Sequence, residues 1–169
     1  MKIIGIDPGL SSTGIGIVNG AGVNISGCSY GSINTSKKTP LPGRLHEIYD
    51  RLFALLEVEK PDLMVIEDVF SLKQYPKSGI ILGQVSGVIL LAGMQIGMTS
   101  LEIPVREAKQ VLTGNGNATK MQLEKSVRNL LKLSSPIRPL HASDALGLAL
   151  IGLYRCGRRH RPKQGTRLE

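Results

Sequence analysis

Hydrophobic and polar positions follow one another along this chain in blocks that predict strands and helices. Short apolar runs at 3–6, 63–66 and 99–103 have the length of buried strands. Segments 12–18 and 23–33 predict two further strands, with Asn19-Gly20 as the hairpin turn between them. Apolar residues at helical spacing predict helices over 44–60, 79–98, 104–112, 119–133 and 141–154. This order predicts one α/β domain that opens with an antiparallel β-meander.

Two glycines interrupt the second predicted strand, although glycine is a poor strand former. They are Gly14 and Gly16. A glycine inside a strand indicates that another backbone or a ligand approaches closely at that point. We therefore expect a close neighbour on this strand.

The segment 79–98 carries no formal charge and is long enough to span a membrane. Two glutamines and a serine interrupt it, and aromatic anchors are absent, so a buried helix is the better interpretation. Gly79, Gly83 and Gly87 repeat a small-residue spacing that allows close helix contacts. This helix is our candidate dimer surface.

The net charge of +8 is placed unevenly, because residues 1–100 are balanced and residues 101–169 carry the entire excess. A basic half on a neutral domain indicates a polyanionic partner, most simply nucleic acid, with a solvated surface as the alternative. Two distant cysteines and a start that is not a signal peptide favour a cytoplasmic protein. We expect one domain over 1–155 and a mobile basic tail over 156–169.

Carboxylates follow two of the predicted buried strands. Asp7 ends the first, where Pro8-Gly9 forces a turn, and Glu67-Asp68 ends the strand at 63–66. Strand alternation points Glu67 and Asp68 to opposite faces, so only one can join Asp7. Open α/β sheets place their chemistry at such strand ends, although an Asp that merely caps a turn is the alternative.

The last predicted helix opens with His141 and Asp144, which share one helical face. Each alone has an ordinary interpretation, as a satisfied histidine or as a carboxylate in a first helical turn. With Asp7 and Glu67 they could hold two divalent cations such as Mg²⁺, which prefers oxygen ligands. Two ions about 4 Å apart can generate a hydroxide and stabilise the leaving oxygen of a phosphodiester.

Basic and aromatic residues surround this predicted site in the sequence. The segment 69–77 mixes Phe70 with Lys73 and Lys77, a composition that supplies base stacking and phosphate contacts in nucleic-acid enzymes. A core aromatic with loop lysines is the alternative. Farther along the chain, we expect Arg106, Lys109 and Lys120 to face phosphates.

Four motifs in this order resemble the RuvC Holliday-junction resolvases of bacteria. They are Gly5-Ile-Asp7-Pro-Gly9 with Thr13-Gly14, Ile66-Glu67-Asp-Val-Phe70, Leu82-Gly83-Gln84, and His141-Ala-Ser-Asp144-Ala-Leu146. The resemblance implies the RNase H-like fold, with a five-stranded mixed sheet, its first three strands antiparallel, and helices on both faces. It also implies a homodimer that cuts four-way DNA junctions by symmetric nicks in strands of like polarity. The family works with the RuvA–RuvB branch-migration motor.

The resemblance also implies roles for single residues. The family's four acidic positions correspond to Asp7, Glu67, His141 and Asp144. His141 is a departure, since many members have Asp there, and a nitrogen ligand changes metal preference. We expect two Mg²⁺ per subunit, with Mn²⁺ also supporting activity. Phe70 matches the family's base-contacting aromatic, and Lys109 and Lys120 match basic residues near the junction.

Three other functions compete with this interpretation. An actin-like or sugar-kinase ATPase also begins with a strand, Asp and Gly, but needs two lobes, and 169 residues leave no room. A non-catalytic junction-binding protein would lack metal-dependent nicking. Another RNase H-like nuclease would prefer RNA hybrids over junctions.

Overall fold

The chain, described by a computed structural model over residues 1–68 and 76–159, forms a sheet with helices on both faces. The strands are β1 (Lys2–Asp7), β2 (Ser12–Ala21), β3 (Asn24–Asn34), β4 (Leu63–Asp68) and β5 (Ser100–Pro104). The helices are α1 (Leu41–Glu59), α2 (Pro76–Gln95), α3 (Val105–Thr113), α4 (Lys120–Leu130) and α5 (Leu140–Arg159). Phe70, Lys73 and the predicted tail beyond Arg159 lie outside the described residues.

The five strands lie in the order β3-β2-β1-β4-β5. β1 to β3 pair antiparallel, whereas β4 pairs parallel with both β1 and β5. The predicted mixed sheet with three antiparallel strands first is therefore confirmed. Because β1, β4 and β5 run the same way, they end at one edge of the sheet, which we call the carboxyl edge.

The hairpin between β2 and β3 turns at Gly22 and Val23, so the predicted turn at Asn19-Gly20 is wrong. Gly22 has a φ of +59°, a left-handed conformation that glycine adopts without steric cost. Asn19 and Gly20 mark a shift in the pairing register of the two strands instead. β2 thus extends beyond the predicted segment 12–18, to Ala21.

Strand alternation divides the core between the two faces of the sheet. Ile3 and Val65 pack on the face that α3, α4 and α5 cover. Ile4 and Ile66 pack on the other face, with α1 and α2. Asp7 follows Ile3 by four residues, so it points toward α5.

Glycines in β1 and β2 allow the backbone of α5 to lie directly on the sheet. A Cβ at Gly5 would overlap the carbonyl oxygen of Ala145, and one at Gly14 would overlap that of His141. Gly16 is equally close to the backbone of α5. The predicted close approach to β2 is confirmed, and it fixes the first turn of α5 over the end of β1.

The opposite face carries α2, which is buried along one side only. Val85, Ile89 and Ala92 are fully buried against the sheet. By length and composition the stretch Lys77–Gln95 could cross a membrane, and 22% of its most apolar window is buried. The prediction of a buried helix therefore holds for the inner side of α2, whereas its outer side is apolar and open.

Candidate active site

The carboxyl edge brings acidic residues from three elements together. Ile6 pairs with Ile66 across β1 and β4, so the next residues, Asp7 and Glu67, lie side by side. Both point to the face that α5 covers, and Asp68 points away from it. The sheet register therefore selects Glu67, a choice that alternation alone left open.

Three of the four predicted metal ligands form a close cluster, which we call the acidic cluster. Asp7, His141 and Asp144 each offer a ligand atom, and these atoms lie within 4.8 Å of one another. His141 Nδ1 lies 2.5 Å from Asp7 Oδ2. Across residues 1–68 and 76–159, no other group of three potential ligands has this spacing. Glu67 is not in the cluster, although its carboxyl group interacts with that of Asp7.

Burial and mutual repulsion change the acidity of the site. The pKa of Glu67 is raised to about 8, first by burial and then by the neighbouring carboxylates of Asp7 and Asp144. The pKa of Asp144 is raised by burial and by Asp7, against the opposing effect of Lys120. The hydrogen bond to Asp7 raises the pKa of the His141 imidazole, although burial acts in the opposite direction. The site therefore holds more negative charge than its surroundings stabilise.

This donor set fits a divalent cation. Carboxylate oxygens are the ligands that Mg²⁺ prefers, and one imidazole extends the fit to transition metals. A bound cation would relieve the repulsion that raises the pKa of Glu67 and Asp144. The residues at the carboxyl edge are thus suited to hold metal ions.

Lys120 reaches the acidic cluster directly. Its Nζ lies 3.5 Å from Asp144 Oδ2, and the Lys120 side chain is 59% exposed whereas that of Asp144 is 12% exposed. Lys120 is the first residue of α4, and the predicted cap at Thr119 is present as a capping box with Gln122. The sequence did not predict this ion pair, because it depends on how two different helices pack against each other.

The other described basic candidates lie on helices that follow strands ending at the carboxyl edge. Arg106 and Lys109 belong to α3, which begins directly after β5. Arg106 is exposed, and Lys109 is half-buried. Lys77 is exposed in the first turn of α2, which follows β4. Their role in DNA binding stays a prediction.

Two hydroxyl groups fix the loop that follows Asp7. Thr13 Oγ1 donates to the carbonyl oxygen of Gly9 at 2.8 Å, and Thr35 Oγ1 donates to that of Leu10 at 2.5 Å. Sequence reasoning missed Thr35, because isolated threonines give no signal of such contacts. These bonds hold the turn that positions the Asp7 carboxylate.

Comparison with known proteins agrees with this geometry. The family described as Crossover junction endodeoxyribonuclease RuvC matches residues 3–152. The protein of that name from Brevibacillus brevis is 37% identical over 150 residues, covering 89% of this chain and 90% of its own length. The one from Thermosipho melanesiensis is 40% identical over 149 residues, covering 88% and 94% respectively. The solved T. thermophilus RuvC in complex with a Holliday junction substrate is 28% identical, with a TM-score of 0.86 over 94% of this chain and 96% of that chain.

The match includes every element that forms the acidic cluster, from β1 to the first turns of α5. The structural similarity confirms the RNase H-like fold that the sequence motifs implied. Family, fold and site therefore agree over nearly the whole chain. This chain belongs to the RuvC family of crossover junction endodeoxyribonucleases.

Proposed function

We propose that this chain is a metal-dependent endodeoxyribonuclease that resolves Holliday junctions in DNA recombination and repair. It nicks two strands of like polarity at symmetric positions. The observation that carries this proposal is the cluster of Asp7, His141 and Asp144 at the carboxyl edge of a chain that matches the family from residue 3 to 152. The T. thermophilus relative solved in complex with a Holliday junction substrate supports a DNA junction as the substrate.

Two Mg²⁺ ions per subunit are the proposed cofactors, and Mn²⁺ also supports activity. The residues that would hold them are Asp7, Glu67, His141 and Asp144. When bound, such ions make water a nucleophile at neutral pH and stabilise the charge that develops on the leaving oxygen. The chemistry of the donor set and its unrelieved negative charge support this assignment.

The residues of the chain prepare the site in three ways. His141 holds the Asp7 carboxylate through the contact between Nδ1 and Oδ2, so a proton and a cation compete for these atoms. Glu67, with its pKa near 8, must release a proton before it can serve as a ligand at neutral pH. Lys120 offsets part of the charge on Asp144 and remains exposed toward a phosphate.

DNA contacts extend beyond the acidic cluster. We assign phosphate binding to Lys73, Lys77, Arg106, Lys109 and Lys120, and base stacking beside the cut to Phe70. The exposure of Lys77, Arg106 and Lys120 on helices that begin near the carboxyl edge supports the described part of this assignment. Phe70 rests on the sequence motif and Lys73 on the composition of segment 69–77, since both lie outside the described residues.

A homodimer is the proposed assembly, and the outer face of α2 is its interface. Ile80, Leu91 and Met94 are exposed there by 65%, 52% and 74%. Added Cβ atoms at Gly83 and Gly87 would meet no atom within 4 Å, so a second helix can approach closely. A second copy that covers this face removes the need for a membrane around α2, and we therefore propose a cytoplasmic location.

The RuvA–RuvB motor is a further proposed partner. This proposal rests on the family resemblance alone.

A cleavage assay tests the proposal. Purified protein is incubated with an end-labelled four-way junction and Mg²⁺, with a linear duplex and an RNA–DNA hybrid as competing substrates. We expect paired nicks in the junction and little cutting of the other two. Asp7→Asn should lower the nicking rate by at least about 100-fold, more than the loss of an outer metal-site partner, while junction binding remains.

The same assay separates the alternatives. Binding without metal-dependent nicking would indicate a non-catalytic junction-binding protein. Preferred cutting of the hybrid would indicate another RNase H-like nuclease. Nicking at an undiminished rate by Asp7→Asn would remove Asp7 from the site.

A further inference from the structure

A second basic surface lies on the loop between β3 and α1 and in the first turn of α1. It consists of Lys37 and Lys38 of the loop and Arg44 of the helix, and we call it the β3–α1 patch. Lys37 and Lys38 are exposed, and within the described residues neither they nor Arg44 forms an ion pair. Their charge is therefore free for an external anion.

Hydrogen bonds hold this loop against the turn that follows Asp7. The Thr35 amide donates to the Ser11 carbonyl oxygen at 3.2 Å, and Thr35 Oγ1 donates to the Leu10 carbonyl oxygen at 2.5 Å. Lys37 follows Thr35 by two residues. The patch thus lies at the carboxyl edge, on the β3 side of the acidic cluster.

Arg44 connects the same two loops through its side chain. Its Nε donates to Thr35 Oγ1 at 2.8 Å, and its Nη2 donates to Ser11 Oγ at 3.0 Å. Both acceptors are neutral hydroxyl groups, so the guanidinium keeps its full positive charge. A fixed guanidinium with remaining N–H donors is well suited to bind a phosphate.

Along the carboxyl edge, the patch and the pair Arg106 and Lys109 lie at opposite ends of the strand order. β3 and β5 are the two outermost strands of the sheet, with Asp7 and Glu67 on strands between them. Neighbouring strands lie about 4.8 Å apart, so β3 and β5 are separated by about 19 Å, the length of five or six base pairs. Positive charge therefore flanks the acidic cluster on both sides.

We infer that the β3–α1 patch binds phosphates of the junction DNA on the β3 side of the cleavage site. This inference rests on the proposed function. Phosphate contacts on one side of the cluster only would leave the strand free to pivot about them. Contacts on both sides fix the register of the strand over the cluster, which is what phosphate contacts do in protein–DNA complexes.

The salt dependence of junction binding tests the patch. Lys37→Gln and Lys38→Gln each remove one charge from it. Lys60→Asn is the matched control, because Lys60 is exposed beyond the far end of α1 and Asn tolerates its positive φ. For duplex arms the log–log salt slope should flatten by about 0.9 for each patch lysine removed. The control should keep the slope of the unaltered protein.

A neutral methylphosphonate placed at single positions of the cleaved strand locates the contact. In the unaltered protein, substitution at the phosphates on the β3 side should weaken binding. In the Lys37→Gln/Lys38→Gln variant, the same substitutions should cause a smaller loss, because only Arg44 remains in the patch. Full loss in that variant, or salt slopes equal to that of Lys60→Asn, would overturn the inference. If the unaltered protein neither binds nor nicks the junction, the proposed function itself fails, and the inference fails with it.

Discussion

Two helices of equal length, α5 and α2, cover opposite faces of the sheet and differ in how completely the fold buries them. From Ala145 to Leu153 every residue of α5 is buried. On α2, only Val85, Ile89, Ala92 and Gly93 are buried among the residues from Lys77 to Gln95. Both sequences are rich in small and apolar residues, so composition does not distinguish them.

The two helices differ in what the glycines at their surfaces meet. Below α5, Gly5, Gly14 and Gly16 of the strands leave room for the helix backbone. On the outer face of α2, Gly83 and Gly87 face open space. Close packing is therefore complete on the sheet side of α5, whereas the outer face of α2 is left open by the described residues.

Under the proposed function, this contrast assigns the metal site to the α5 side and self-association to the α2 side. α5 carries His141 and Asp144, and its contact with β1 sets their distance from Asp7. α2 carries no charged residue from position 79 to 95. Substitutions on the two faces should therefore have different consequences.

The largest effect is expected at Gly5. In Gly5→Ala the added methyl group overlaps the Ala145 carbonyl oxygen, so α5 must move or the fold must open. We expect a loss of about 3 kcal/mol or more in the free energy of unfolding, at the upper end of overpacking costs. Cleavage should fall as well, because His141 and Asp144 move with α5. Urea denaturation and single-turnover cleavage measure the two effects.

Gly87→Ala is the control on the other helix. Its added methyl group meets no atom within 4 Å, and alanine favours a helix over glycine by about 1 kcal/mol. The unfolding free energy of the monomer should stay equal or rise. Equal losses in both variants would show that the two helices do not differ as described.

The sequence predicted much of this fold because its signals are local. Apolar runs, caps and helical periodicity located the strands and helices, including the Thr119 cap. The hairpin turn was misplaced because Asn19-Gly20 is a strong turn signal that the longer pairing of β2 and β3 overrides. The ion pair between Lys120 and Asp144 and the bonds of Arg44 were not predicted, because tertiary packing alone brings those residues together.

The second prediction concerns self-association. Leu91→Lys places a charge on the outer face of α2, where the side chain is already exposed and the fold can tolerate it. We expect the dimer dissociation constant to rise at least about tenfold, the equivalent of about 1.4 kcal/mol. Analytical ultracentrifugation measures this change. Val23→Lys is the control, since Val23 is also apolar and is 79% exposed at the β2–β3 hairpin. If both variants associate like the unaltered protein, α2 is not the interface.

The third prediction concerns stability of the metal-free protein against pH. Glu67 has a pKa of about 8 in the fold against 4.5 as its ordinary value, so the folded chain holds a proton that the unfolded chain has lost. Stability should therefore fall as pH rises from about 4.5 to about 8. The raised pKa of His141 acts in the same direction, because its stabilisation is lost as pH rises through the folded pKa.

Urea denaturation in EDTA at pH 5, 6.5 and 8 measures this dependence. In Glu67→Gln the pH dependence should be weaker, and the contributions of His141 and Asp144, whose pKa values are also raised, should remain. Dimer formation through the uncharged face of α2 should be insensitive to pH over the same range. A variant as pH-dependent as the unaltered protein would show that Glu67 is not held uncharged in the fold.

The smallest effect is expected at His141, on the α5 side of the comparison. An imidazole ligand suits transition metals better than Mg²⁺, so cleavage should be faster with Mn²⁺ than with Mg²⁺ at equal concentration. His141→Asp should shift the preference toward Mg²⁺, because it replaces nitrogen with oxygen.

Protons compete with metal for His141, whose pKa is raised by Asp7, so metal affinity should fall as pH drops. His141→Asp should lose the part of this sensitivity that belongs to the imidazole and keep the part that belongs to Glu67. Titrating both proteins with each metal at pH 6 and 8 measures these effects, and identical metal preferences and pH profiles would show that His141 is not a ligand.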